Sequence, residues 1–141
     1  MKAFLDTSVL IAAFYGDHQH HDRSLVLFAS QKKSMAATAA HCLAEVYAVV
    51  TGMPGRIRAS PHEALLFLND VRERLTLVHL DQQEYLETIE EAASAGIFGG
   101  AVYDALIARC ALKSKAQTLY TWNTKHFERL SATTARRLRT P

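Results

Sequence analysis

Three acids in this chain of 141 residues stand where an acid is hard to account for: Asp6, Glu45 and Asp104. Asp6 is the only charge between Ala3 and Gly16, and Asp104 is the only charge in residues 97–108. Glu45 lies in C-L-A-E-V-Y-A-V-V, where its helical neighbours are Cys42, Ala48 and Val49, and His41 is the one polar candidate beside it. An unpaired carboxylate is costly to bury, so such groups protonate, find a cation or bind a metal. Each acid also has a plainer account. Asp6 can serve as a helix N-cap, Asp104 can be favoured by a helix dipole, and Glu45 can pair with Arg109 or Lys2. Glu45 is the hardest to explain this way, because a mid-helix acid in apolar company has no capping job.

The three are simpler to explain together. Two carboxylates ~5 Å apart repel by roughly 3 kcal/mol at an effective dielectric of ~20. A shared acid cup therefore calls for a cation, and an all-oxygen donor set selects a hard ion such as Mg²⁺ or Mn²⁺. A hydrated divalent ion in such a cup suits hydrolysis of phosphodiesters. Thr7 and Ser8, next to Asp6, can orient a water or a phosphate oxygen, and the first amides of the following helix add partial positive charge. Arg56 and Arg58, in the loop before Pro61, are candidates for phosphate contacts.

The elements that must position these residues follow from the pattern of the chain. Residues 2–5 are expected to form a short strand, followed by D-T-S as helix N-cap signals and a helix over 9–15. A second helix lies within 18–33; its D-H-Q-H-H-D start (His18, His20, His21, Asp22) offers metal-ligand types but is expected to face solvent. A strand over 34–38 precedes a helix over 39–51 closed by Gly52 as a left-handed cap. Residues 53–60 are a loop, and Ser60, Pro61 and Glu63 open a helix with a capping box. A strand over 76–80 and a helix over 82–95 capped by Asp81 come next, with Glu84, Glu87, Glu90 and Glu91 expected in solvent. Gly96 ends that helix. A helix over 101–115, a strand over 118–122, a short helix over 124–130 and an edge strand near 135–138 complete the chain. Strands alternating with helices imply an α/β fold: a three-layer α/β/α sandwich around a mainly parallel sheet of four to five strands. Ligands of such sheets gather at the carboxyl ends of the strands, where Asp6 lies and which Glu45 and Asp104 can flank.

Composition fits one domain over residues 1–141, with 49% hydrophobic and 21% charged residues. No apolar run reaches the ~20 residues of a membrane span, and no secretory signal is recognisable. Cys42 and Cys110 lack metal-type spacing and are expected as reduced thiols in a cytoplasm. The net charge of +2 is uneven. Beyond Asp104 the chain is basic, as a polyanion-binding surface or a solvated tail would be.

D-T-S-V-L at 6–10, A-E-V at 44–46, Y-D-A-L-I-A at 103–108 and T-W-N-T-K-H-F at 121–127 together resemble a PIN-domain ribonuclease of the VapC toxin type. Each motif alone is weak; their order and spacing along the whole chain make the set specific. The resemblance implies a PIN-like fold and a Mg²⁺- or Mn²⁺-dependent endoribonuclease, usually a homodimer, held inactive by a cognate antitoxin. By motif match, Asp6, Glu45 and Asp104 correspond to that family's metal-binding acids, with Thr7, Ser8, Thr121 and Asn123 in support. Many family members carry a further aspartate where this chain has Asn123; a neutral oxygen there leaves a second metal open. A receiver domain would need an acidic pair after the first strand, and a dehalogenase-like phosphatase would need D-x-D where this chain has D-T-S. The rival is a PIN-like RNA- or partner-binding module with a weak site.

Overall fold

The computed structural model describes residues 1–141. Five short strands, β1 (Ala3–Leu5), β2 (Ala36–Ala39), β3 (Thr76–Val78), β4 (Thr118–Tyr120) and β5 (Leu138–Arg139), form one sheet in the order β3-β2-β1-β4-β5. Every pairing is parallel, with Phe4 opposite Ala37 on one side and Leu119 on the other. Between them run α1 (Thr7–Phe14), α2 (His21–Ala29), α3 (Ala40–Gly52), α4 (Pro61–Arg74), α5 (Gln82–Ser94), α6 (Ala101–Lys113), α7 (Thr124–Glu128) and α8 (Ala132–Arg137). No helix is long and apolar enough to cross a membrane.

Chain direction divides the helices. From β1 through β2 to β3 the chain steps one way across the sheet; from β3 to β4 and β5 it steps the other way. Right-handed crossovers then put α1–α4 on one face and α5–α8 on the other. The packing agrees: α1 meets α2 and α3, and α3 meets α4, while α5 meets α6, α6 meets α7 and α7 meets α8. This is the three-layer α/β/α sandwich the alternation implies. The direction reverses between β1 and β4.

The strands are short, and the centre of the sheet is made mostly of small apolar residues. β1 (A-F-L) and β2 (A-A-T-A) are buried along their full length, and their alanines let helices approach the sheet closely. The one hydroxyl in β2, on Thr38, donates to the carbonyl of Leu5 at 2.7 Å, so it enters the core paired. Ser60 with Glu63 forms the capping box expected of it, and Asp81, expected as a cap, forms a second box with Glu84.

Several expectations are corrected. α1 begins at Thr7 rather than residue 9, because Asp6 itself is the N-cap. Gly52 is the last residue of α3, not a left-handed cap; Met53 follows in extended backbone, and a single 3₁₀ turn, Gly55–Ile57, occupies the loop. Glu84, Glu87 and Glu91 are not simply solvated: Glu84 pairs with Lys113 at 2.7 Å, and Arg109 reaches Glu87 at 2.9 Å and Glu91 at 3.8 Å. These pairs lace α5 to α6, and solvent screening at this exposure keeps their contribution to stability small. Residues 135–137 are helical, and the last strand is two residues, Leu138–Arg139. Strand propensity at 135–136 loses there to Ser131, whose side chain caps α8 by accepting from the Thr134 amide.

Gly52, the last residue of α3, and Gly96, in left-handed backbone, predict opposite outcomes. Gly52 is helical and a Cβ there meets nothing within 4 Å, so Gly52→Ala should stabilise by about 0.5–1 kcal/mol. Gly96 has φ +70°, so Gly96→Ala should cost about 1 kcal/mol. Urea unfolding midpoints of the two variants check both signs.

Candidate active site

Asp6 leaves the end of β1 at the point where chain direction reverses, beside the end of β4. Its amide donates to the carbonyl of Tyr120 at 3.0 Å, continuing the β1–β4 ladder one step past the strands. The side chain is buried, 3% exposed, and its two oxygens are treated differently. Oδ2 accepts from the Thr121 hydroxyl at 2.8 Å, the Ser8 hydroxyl at 2.9 Å and, more weakly, the Ser8 amide at 3.4 Å. Oδ1 takes neither hydroxyl, and the carboxylate lines a cavity of about 390 Å³. Burial outweighs these hydrogen bonds and raises the Asp6 carboxyl from 3.8 to about 6.

The same cavity is lined by Glu45 and Asp104, with Thr7, Ser8, Ile11, Trp122 and Asn123. Glu45 arrives from the second turn of α3, on one side of the sheet, and Asp104 from the first turn of α6, on the other. Thr7 donates to Glu45 Oε1 at 2.7 Å; the expected pairings of Glu45 with Arg109 or Lys2 do not occur. His41 Nε2 lies 3.8 Å from Glu45 Oε2, too far for a hydrogen bond, and is buried without a partner. His41 stacks on Tyr103 with ring centres 5.2 Å apart. Burial, then the nearby Glu45, raises the Asp104 carboxyl, while His126 and Arg129 oppose the shift; His126 Nδ1 stands 4.0 Å from Asp104 Oδ2.

The three acids thus share one cavity, but no three His, Cys, Asp or Glu side chains converge on a point as a ready-made ligand cluster. Like charges explain the spread, since each carboxylate raises the cost of ionising the next. The donor set fits a hard divalent ion: the carboxylates of Asp6, Glu45 and Asp104, and no thiolate. Cys42 lies just below, but burial pushes its thiol up to about 12, so it is neither ligand nor nucleophile at neutral pH. A cup of spread carboxylates suits an ion that keeps several of its own waters.

Thr121 is fully buried and joins the parts. Besides donating to Asp6 it accepts from the Asn123 amide at 2.9 Å and lies 3.3 Å from the Ser8 hydroxyl. Asn123 lines the cavity as the N-cap position of α7, and its side chain makes no cap bond. Of the expected site residues, Asp6, Thr7, Ser8, Glu45, Asp104 and Asn123 line the cavity, and Thr121 supports it from beneath. Arg56 and Arg58 are not brought there; they are exposed on the 3₁₀ turn, where Arg58 Nε donates to the Met53 carbonyl at 2.7 Å.

The sequence reading missed a second part of the lining: His18, Gln19, His20 and Trp122. The histidines were expected in solvent at a helix start. Instead His20 stacks on Trp122, His18 Nδ1 accepts from the His20 amide at 3.0 Å, and His21 Nδ1 donates to the Ala12 carbonyl at 2.9 Å. The signal was present in D-H-Q-H-H-D and T-W-N, but nothing local indicates that these segments meet.

The PIN-domain family model matches residues 3–132. Ribonuclease VapC27 of Mycobacterium tuberculosis is 34% identical over 113 residues, covering 80% of this chain and 79% of that protein. Ribonuclease VapC40 of the same organism is 31% identical over 114 residues, 81% of each. Among solved structures, M. tuberculosis VapC20, a sarcin-ricin loop cleaving toxin, superposes with a TM-score of 0.72 at 17% identity, over 89% of this chain and 92% of that one. VapBC2 from Rickettsia felis, bound to a DNA fragment from its promoter, gives 0.68 at 24% identity, over 100% and 99%. At these identities the structural likeness is one of fold.

The raised Asp6 pKa has a definite sign in stability. The group favours the fold below pH 3.8, and that contribution is lost as pH rises through about 6. Above that, ionised Asp6 costs the ion-free protein on the order of 2–3 kcal/mol. Asp6→Asn should therefore raise the melting temperature of chelator-treated protein at pH 7.5, with the gain vanishing near pH 4. Thr121→Val, which strips a donor from Asp6 and a partner from the Asn123 amide, should cost about 1–3 kcal/mol in urea unfolding.

Proposed function

As this chain belongs to the PIN-domain family and stands with its VapC ribonucleases, we propose that it is a metal-dependent endoribonuclease, the toxin of a toxin–antitoxin pair. The observation that carries this is the placement of Asp6, Glu45 and Asp104 around one cavity at the reversal point of a parallel sheet. Residues 1–141 act in this reading as one PIN domain in the cytoplasm. Asp6, Glu45 and Asp104 would hold the ion. Bound there, Mg²⁺ or Mn²⁺ supplies a more acidic water and neutralises charge on the phosphate.

The protein's own groups do the rest. Ser8 and Thr121 hold Asp6 by one oxygen, and Thr7 does the same for Glu45. Asn123 offers a neutral amide that can orient a water or a phosphate oxygen without adding charge. Arg56 and Arg58 are left to phosphates beyond the cut. Exposed apolar side chains on α3 and α4, among them Tyr47, Val49, Leu65 and Leu66, offer a surface for a second copy in a homodimer. The cognate antitoxin is a protein partner of the kind seen with the VapBC complexes.

Purified protein freed of any antitoxin should cleave single-stranded RNA with Mg²⁺ or Mn²⁺ and stop on chelation. Asp6→Asn, Glu45→Gln and Asp104→Asn should each lower the rate by at least about a hundredfold with the fold intact by circular dichroism. Cleavage by Asp6→Asn at the wild-type rate, or persistence in excess chelator, sinks the proposal; RNA binding with no cleavage under any ion leaves a binding module. Arg56→Ala with Arg58→Ala should flatten the salt dependence of RNA binding by up to about two in log–log slope.

A further inference from the structure

The lining of the acid cavity divides by chemistry. Beside its three carboxylates it carries His18, Gln19, His20 and Trp122, and no lysine or arginine. The His20 and Trp122 rings are stacked, 3.6 Å between centres and 7° from parallel, with neither ring fully buried. Trp122 is held twice. Its indole Nε1 donates to the fully buried Ser24 hydroxyl at 2.8 Å, and its amide donates to Ser8 Oγ at 3.0 Å, the hydroxyl that also bonds Asp6. The stack is thus fixed to the acid site through a single side chain. Burial, then the neighbouring His20 and His21, holds the His18 imidazole below its usual range.

A phosphate has no lysine or arginine to meet there, whereas a flat, uncharged π-system has a rigid partner and a neighbouring amide, Gln19. Unpaired bases are the nucleic-acid groups that bind in this way, stacking on aromatic side chains. We infer that the His20–Trp122 stack is the seat of the unpaired base next to the scissile phosphate. This rests on the ribonuclease reading of the same cavity.

Trp122 is the only tryptophan in the chain, so its fluorescence reports on the stack directly. Full-length Asp6→Asn protein is titrated with short oligo(A) and oligo(U), with an abasic oligomer of equal length, and with an RNA duplex. The oligomers that carry bases should quench Trp122 saturably, with abasic chain and duplex about tenfold weaker or without effect. In the same background His20→Ala should weaken oligomer binding about tenfold, and His20→Phe should restore it. Equal binding and quenching by the abasic chain overturns the inference. So does a His20→Ala protein that melts earlier yet binds as before, which makes the stack a loop latch only. Cleavage by the wild type is scored separately: cleavage without base-dependent quenching removes the base seat alone, and base-dependent quenching without cleavage removes the ribonuclease reading alone.

Discussion

Burying the Asp6 carboxylate between the ends of β1 and β4 carries a desolvation cost, and the surrounding chain is arranged to meet part of it. Two hydroxyls and an amide converge on a single oxygen, Oδ2, one of the hydroxyls from a residue 115 positions away. They do not cancel the cost, since the carboxyl still sits near 6. What remains is an acid held in one orientation at the wall of a cavity. The same hydroxyls reach on to the amides of Trp122 and Asn123, so the start of α1, the end of β4 and the turn after it form one hydrogen-bonded unit around one charge.

The place is dictated by sheet topology. Where chain direction reverses, crossover helices leave on opposite faces and no helix covers the gap between the neighbouring strand ends. Asp6 comes from the sheet itself, Glu45 from the helix layer on one side and Asp104 from the layer on the other. The relative position of the acids therefore depends on both layers packing correctly on strands as short as three residues. The small buried side chains of β2 and the paired Thr38 hydroxyl serve that packing.

Charge is distributed more economically than composition alone implies. The basic final third does not form one free polyanion surface: Arg109 and Lys113 tie α6 to α5, and Arg137 donates to the Ala116 carbonyl. Around the cavity itself the nearest basic groups are histidines, His41 near Glu45 and His126 near Asp104, with Arg129 acting on Asp104 as well. The cavity stays acidic, as a site for a hard cation requires.

The alternation of elements, the parallel sheet, the Ser60–Glu63 capping box, the Asp81 cap and the three isolated acids were legible in the sequence, because each is written in local periodicity, in cap chemistry or in the absence of any local partner. Helix ends were less so: nothing local distinguishes a helical Gly52 from a left-handed one, and the strand signal near 135–138 yielded to a cap at Ser131. The α5 glutamates looked solvated because their cations lie on α6. His20 and Trp122 looked unrelated because they are about a hundred residues apart and meet only through the fold. By itself the sequence determined which groups had to be buried together, since an acid without a cation nearby in the chain must find its answer elsewhere. Only the tertiary structure decided which oxygen of Asp6 the hydroxyls tie, and which aromatic rings share its cavity, because those depend on distances between elements that no local interaction sets.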